Sequence, residues 1–364
     1  MMTGKERMLR AIEFRNPDRI PFLHPVPALG DVCFMWVYPA GDWQPKEGHA
    51  PYMHDLLYAL GNWRWKEWTL QNWPSKHVAK EDEFGVIREA LTSDNVGEVT
   101  FSPLADLDAV DSFPLPDPHR PERFETFERI VDVFGNGKFI LGDLGAGLWE
   151  RTHFLRGFTT AMEDLALRPE KLERLLDRIT DEWQIGLVEE LAARGCDGVM
   201  MTDDWGTQHR LMISPAMWRR FIKPRYARLS EAIHDNGMKF FLHSCGMIKD
   251  IIDDLIKVGL DVLQKDDLEA IGTEYLAEHT AGRLTYMSPL DVQRIMPGAD
   301  GGKIGRESKK LIKRLGSNGG GLIGTTYMQP TAIGLTWSQF TLMRYYFFVF
   351  GQRRASWGRK KSEA

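Results

Sequence analysis

From residue 121 onward, short apolar runs alternate with stretches whose apolar residues recur every three or four positions. The runs at 139–143, 198–202, 239–243, 261–264, 283–287 and 320–325 are predicted to be buried strands. The stretches between them are predicted to be helices. One covers 121–134 and stops at Gly135. The next carries Leu172, Leu175, Leu176, Ile179 and Trp183 on one face and continues to Gly195. A third opens at Ser214, an N-cap followed by the first-turn Pro215, is interrupted at Pro224 and closes at Gly237. Further helices are predicted at 248–258, 308–315 and 337–350. Near the start, Thr3 and Glu6 have capping-box spacing ahead of Met8, Leu9 and Ile12. That short helix is stopped by Asn16, Pro17 and Asp18, and a first strand follows at 20–25.

Strands that alternate with helices imply a parallel sheet. The expected fold is a single (β/α)₈ barrel over residues 1–350, with seven core strands counted and the eighth not located. An open doubly wound sheet is the alternative, but no glycine-rich dinucleotide loop follows the first strand. Residues 30–118 read as an irregular insertion after the first strand, with Trp36, Trp43, Trp63, Trp65, Trp68 and Trp73 inside it. Segments 86–91 and 99–103 are predicted to form a small hairpin there. The stretch can hold itself onto the barrel through its aromatics, or serve as a lid that stacks on a flat or methoxylated ligand. Residues 351–364 carry Arg353, Arg354, Arg359, Lys360 and Lys361 and read as a solvated, flexible basic tail.

Composition narrows the function. The 364 residues are 43% hydrophobic and 27% charged, as in globular enzymes. A net charge of -5 gives no reason to expect nucleic acid as a partner. No apolar run is long enough to cross a bilayer, and no secretory signal core is visible. Cys33, Cys196 and Cys245 are too few for a disulfide framework. A cytoplasmic location is expected.

In a parallel barrel, chemistry sits at the C-terminal strand ends. Here those ends supply Asp143 with Glu150 behind it, then Asp203, Asp204 and Trp205 with His209 beyond, then His243 and Cys245, then Gln264, and finally Tyr327 and Met328. His243 and Cys245 stand two apart on one strand end, so imidazole and thiol share a face, a pairing suited to zinc or another borderline-soft metal. The bland alternative is a hydrogen-bonded histidine beside a small buried thiol. Asp203 and Asp204 are adjacent and must point in different directions. At most one faces the pocket: Asp204 is the candidate general base or the partner that orients His243, and the alternative is that one of the pair only caps the next turn.

Other stretches extend these observations: Gly4 to Arg7 with Asn16 to Pro21, Glu150-Arg151 with Leu155 to Gly157, Asp203 to Gln208, Ile213 to Pro215, Lys223 to Tyr226, His243 to Gly246 and Gly319 to Gly321. Together they resemble the uroporphyrinogen decarboxylase superfamily from about residue 3 to 350. The likeness is nearer to the corrinoid-dependent methyltransferase branch than to the true decarboxylases. The resemblance implies a single barrel, possible homodimerisation and a zinc ion held by His243 and Cys245. A second cysteine normally completes that set after the glycine-rich last strand. Here it is replaced at or near Met328. Either a carboxylate such as Asp204 or Glu150 supplies the third ligand, or the metal is held weakly or not at all. The true decarboxylases bind their porphyrinogen through arginines in a segment corresponding to 22–30, which has none.

The expected activity is zinc-assisted methyl transfer between a small donor, such as a methoxylated aromatic, and a corrinoid (cobalamin) on a partner protein. Asp204 and Glu150 are the expected catalytic residues. Asp143, Trp205, His209, Gln264, Tyr327 and Met328 are expected to bind substrate. A metal-independent decarboxylase or lyase acting on a small carboxylic acid is the alternative, and a non-catalytic binder that kept the barrel is a third possibility.

Overall fold

The structure, a computed structural model, describes residues 2–40, 43, 45–46, 49–51, 79–89, 97–327 and 330–352. Strands β1 (Phe22–Leu23) and β2 (Val32–Trp36) come first. A small sheet follows, built from β3 (Ala50–Pro51), β4 (Lys80–Glu81), β5 (Ile87–Glu89) and β6 (Glu98–Phe101). Then come β7 (Phe139–Ala146), β8 (Gly198–Thr202), β9 (Lys239–His243), β10 (Val262–Gln264), β11 (Thr285–Ser288) and β12 (Leu322–Thr325). The main sheet has eight strands, ordered β1-β12-β11-β10-β9-β8-β7-β2, and neighbouring strands along this order run parallel. β1 and β2 meet where Asp31 N–H donates to Phe22 O and the Asp31 carboxylate accepts from Phe22 N–H. The sheet is thus a nearly closed (β/α)₈ barrel.

The eighth strand is β2, inside the stretch read from sequence as irregular. Between β1 and β2 the chain makes only a three-residue 3-10 turn, Pro27–Leu29, with no helix to reveal a repeat. The predicted hairpin is present as the antiparallel pair β5 and β6. The predicted helix ending at Gly195 is three pieces: Pro169–Arg178, a π-helical segment Ile179–Gln184, and Ile185–Ala193. Trp63, Trp65, Trp68 and Trp73 lie outside the described residues, as does the tail beyond Gln352.

Strand alternation sorts the side chains. Leu23, Val32, Phe139, Leu141, Met200, Phe241, Val262, Met287 and Ile323 fill the barrel. Met8 and Ile12 of the N-terminal helix Gly4–Ile12 complete that cluster, so this helix plugs the bottom. Thr285 Oγ1 and Gly321 N–H bond to the helix's last carbonyls. Two residues further along the strands the inward positions become polar: Asp143, Thr202, His243, Gln264 and Thr325. The barrel is an apolar plug with a polar top layer, and the site lies on that layer. No helix among the described residues is long and apolar enough to cross a membrane.

Candidate metal centre and its cavity

His243 closes β9 and Cys245 lies in the turn beyond it. Asp204 comes from the loop after β8. One ligand atom from each of these three residues lies within 4.8 Å of the other two. His243 Nε2 is 3.5 Å from Asp204 Oδ1, and the same oxygen accepts the Cys245 N–H at 2.6 Å. Gln264 Oε1 bonds His243 Nδ1, while Gln264 Nε2 donates to Asp266 Oδ1 at 2.9 Å. This chain of bonds leaves Nε2 as the free ligand atom. Burial works against a proton on His243, but Cys245, Asp204 and Asp266 hold its pKa well above the ordinary imidazole value. Burial raises the Cys245 thiol, and His243 pulls it back.

The turn carrying Cys245 is held from behind. Lys265 is fully buried, and its Nζ donates to Gly246 O at 2.5 Å and to Asp267 Oδ1 at 2.6 Å. Asp267 Oδ2 accepts Gly246 N–H at 2.9 Å. One buried ion pair therefore grips both polar groups of a single peptide residue. Gly246 has φ +77°, and a β-carbon there would lie 2.2 Å from Gly206 O. Only glycine satisfies both conditions.

The two adjacent aspartates divide as their geometry requires. Asp204 faces the cavity. Asp203 is buried and turns the other way, accepting from Trp149 N–H at 3.0 Å and Glu150 N–H at 2.8 Å, so it caps the helix Leu148–Arg156. Tyr226 O–H donates to it at 2.6 Å. Burial pushes Asp203 up to about 7 against these three donors. Glu150, on that helix, accepts from Thr202 Oγ1 at 3.0 Å. Burial and then the charges of Asp204 and Asp203 raise it to about 8. Asp143 is buried; its Oδ1 accepts from Gly145 N–H and its Oδ2 has no partner. Burial raises it to about 7.

Above this layer is a cavity of about 720 Å³ whose lining includes Glu150, Asp204, His243 and Tyr327. Aromatic residues Trp36, Tyr38, Phe84, Phe154 and Trp183 form much of the remaining wall, together with Arg88, Arg151 and His153. Asp143 and Gln264, expected at the substrate surface, lie beneath it; Gln264 positions His243 instead. Two expected substrate residues are elsewhere. Trp205 is fully buried, stacked on Trp149 at 5.6 Å with its indole N–H on Tyr226 Oη, so it backs the site. His209 is exposed in a loop organised by Thr207 Oγ1. Past the end of β8 the two-residue alternation no longer governs direction, so neither side chain follows Asp204 into the cavity. Met328 lies outside the described residues. Arg151 stands beside Glu150 behind the end of β7, as the sequence suggested, whereas Arg88 and His153 were not assigned to the pocket from sequence, because nothing in their spacing marks them.

The sequence profile of the uroporphyrinogen decarboxylase (URO-D) family matches residues 92–323. The chain belongs to the uroporphyrinogen decarboxylase family. Its barrel is similar to that of a methyltransferase from Methanosarcina mazei, at 16% identity and a TM-score of 0.67, over 96% of this chain and 99% of that one. Weaker overlaps occur with an endo-beta-1,4-xylanase from Gloeophyllum trabeum (10% identity, TM-score 0.40, 64% of this chain and 82% of that one). A D-psicose 3-epimerase from Clostridium cellulolyticum H10 overlaps similarly (10% identity, TM-score 0.40, 67% and 86%). No curated protein sequence matches the chain. Within the uroporphyrinogen decarboxylase fold, the site described here occupies the usual end of the barrel.

Proposed function

We propose that this protein is a methyltransferase that moves a methyl group between a small methoxylated aromatic donor and a corrinoid carried by a separate protein. The observation that carries the reading is the convergence of Asp204, His243 and Cys245, the first two of which line the cavity. Oxygen, nitrogen and sulfur donors in one cluster, with one face turned to an open cavity, suit a catalytic zinc site with three protein ligands. Asp204 takes the place left by the missing second cysteine. The similarity in fold to a methyltransferase agrees with this reading.

Zinc bound there would act as a Lewis acid toward the donor's ether oxygen. The chain's own residues do the rest. Gln264 and Asp266 fix the His243 ring. Lys265 and Asp267 fix the Cys245 turn. The aromatic wall excludes water and orients a flat donor. As the methyl carbon leaves oxygen, the bonding pair stays on that oxygen. Glu150, still protonated near neutral pH, is placed to supply a proton to it.

Metal analysis tests the reading directly. Purified protein is expected to hold about one zinc per chain, and His243→Ala and Cys245→Ala are expected to lose metal and methyl transfer together. Turnover of a methyl donor by metal-free protein would remove the zinc role. The buried, raised carboxyls Asp143 and Glu150 favour a second reading, a metal-independent decarboxylase or lyase. Activity in chelator without added corrinoid would select that reading.

A further inference from the structure

The outer faces of the last two helices carry charge and apolar surface that the site at the barrel mouth does not use. Residues 301–364 hold twelve Lys and Arg against two acids, a net charge of +10, whereas residues 1–300 hold 34 against 49, a net charge of -15. Such asymmetry within one chain points to an anionic partner at its basic end. The helix Trp337–Phe350 contains no acid and buries Phe340, Met343 and Phe347 against the barrel. A surface helix ordinarily turns polar residues outward. Here the outward side is apolar as well: Tyr345 and Phe348 are each 57% exposed and Val349 is 42% exposed.

Cations border this ridge on both edges. On one side runs the helix Gly301–Leu315, which approaches closely at Gly305, where a β-carbon would lie 2.9 Å from the Tyr346 ring. Its Lys309 Nζ is 5.9 Å from the Phe350 centroid. Arg306, Lys309 and Lys313 are exposed on that helix. The acids nearest to them in the fold, Glu307 and Glu274, are taken by Lys310 and Arg314. On the other side Arg344 Nη2 donates to Leu29 O, and the Arg19 guanidinium lies 5.9 Å from the Phe348 centroid. The ridge ends at the closed end of the barrel: Gly351 O, directly after the helix, accepts from Ile20 N–H at 3.2 Å, and Ile20 leads into β1. The cavity opens at the opposite end.

A second copy is a poor cover for this surface, because twofold self-pairing would set like charges against each other along both edges. Aromatic side chains between lysines and arginines suit a helix lying in the headgroup region of an anionic bilayer, with rings at the acyl boundary and cations at the phosphates. We propose that the outer faces of Gly301–Leu315 and Trp337–Phe350 dock this protein peripherally on an anionic phospholipid membrane. Tyr345, Phe348 and Val349 enter the interface, and Arg306, Lys309 and Lys313 pair with lipid phosphates. This posture leaves the barrel mouth open to solvent. The docking face is independent of the reaction proposed above.

The test is sedimentation of the whole protein with vesicles of phosphatidylcholine alone and of phosphatidylcholine mixed with phosphatidylglycerol. Binding is expected only to the anionic vesicles, and it should weaken as salt is raised. The double variant Lys309→Gln/Lys313→Gln should lower partitioning about thirtyfold, at about fivefold per lysine. Phe348→Ser should lower it about five- to tenfold. All three positions are exposed, so both variants should keep the wild-type Tm. Binding to neither vesicle, equal binding to both, or binding unchanged in both variants, as the charges from Arg353 to Lys361 alone would give, would each overturn the docking face. So would a dimer in solution that Phe348→Ser dissociates, which would assign the ridge to a second copy. Capture on polyglutamate beads with none on vesicles would assign it to an acidic protein and overturn the lipid reading equally.

Discussion

The buried Lys265–Asp267 pair is a sharp place to perturb this site, because it stabilises one turn and touches no ligand atom. Lys265→Met removes the ammonium and leaves the Asp267 carboxylate buried beside Gly246. Breaking one partner of such a pair costs about 3–5 kcal/mol, since the remaining charge has no compensation. Unfolding entropy near the midpoint is about 2.1 cal/mol/K per residue, or about 0.76 kcal/mol/K for 364 residues. The expected fall in Tm is therefore about 4–7 °C. Asp267→Asn in the same chain removes the stranded charge but keeps an oxygen for Gly246 N–H. The double variant is thus expected to recover much of the loss. Scanning calorimetry of the four proteins at one pH, metal-free, closes the cycle. Zinc titration then reads the turn itself, because Lys265→Met should weaken metal binding while His243 and Asp204 remain in place. A Lys265→Met protein within about 1 kcal/mol of wild type, or a double variant as unstable as the sum of the singles, would refute the argument.

Three further outcomes are expected. Gly246→Ala places a methyl against Gly206 O at a φ that disfavours side chains, so it should lose about 2–5 kcal/mol by denaturant titration; an unchanged midpoint would show that the turn can relax. His153 is held at about 4, below its ordinary 6.5, by burial and by Arg88 and Arg151. The unfolded chain therefore takes up a proton first as the pH falls. Stability present above pH 6.5 should decline by about 3 kcal/mol toward pH 4, and His153→Phe should flatten that acid limb. Glu150→Gln should raise the stability at pH 7 by up to about 3 kcal/mol, because the wild-type carboxyl stays protonated in the fold to about 8 but ionises in the unfolded chain near 4.5. It should also lower kcat by about 10²–10⁴ and abolish the fall in rate as the pH rises through about 8; an unchanged rate profile would remove Glu150 as the acid.

Much of the barrel is legible in the sequence because each βα unit from β7 onward carries its own apolar run and its own stop. Gly135, Gly195 and Gly237 mark those stops. β2 was hidden because its unit lacks a helix, leaving only Pro27–Leu29 between two strands. The short helix Thr273–His279 was missed for a related reason, since seven residues hold too few turns to show a period. At the site, His243 with Cys245 and the divergence of Asp203 from Asp204 followed from strand geometry. Trp205 and His209 did not, because loop direction is set by tertiary contacts such as the Trp149 stack. The grip of Lys265 and Asp267 on Gly246 joins the end of β10 to the turn after β9, a long-range arrangement that no local pattern announces.

The helix Gly4–Ile12 that plugs the barrel floor constrains traffic as well as stability. A vessel stoppered at its base has a single doorway, and both reactants of a two-substrate transfer must share it. The smaller must be seated before the larger arrives and closes the exit. Under the proposed methyl transfer, steady-state kinetics should then follow a compulsory order, with the spent donor held until the proposed carrier protein departs.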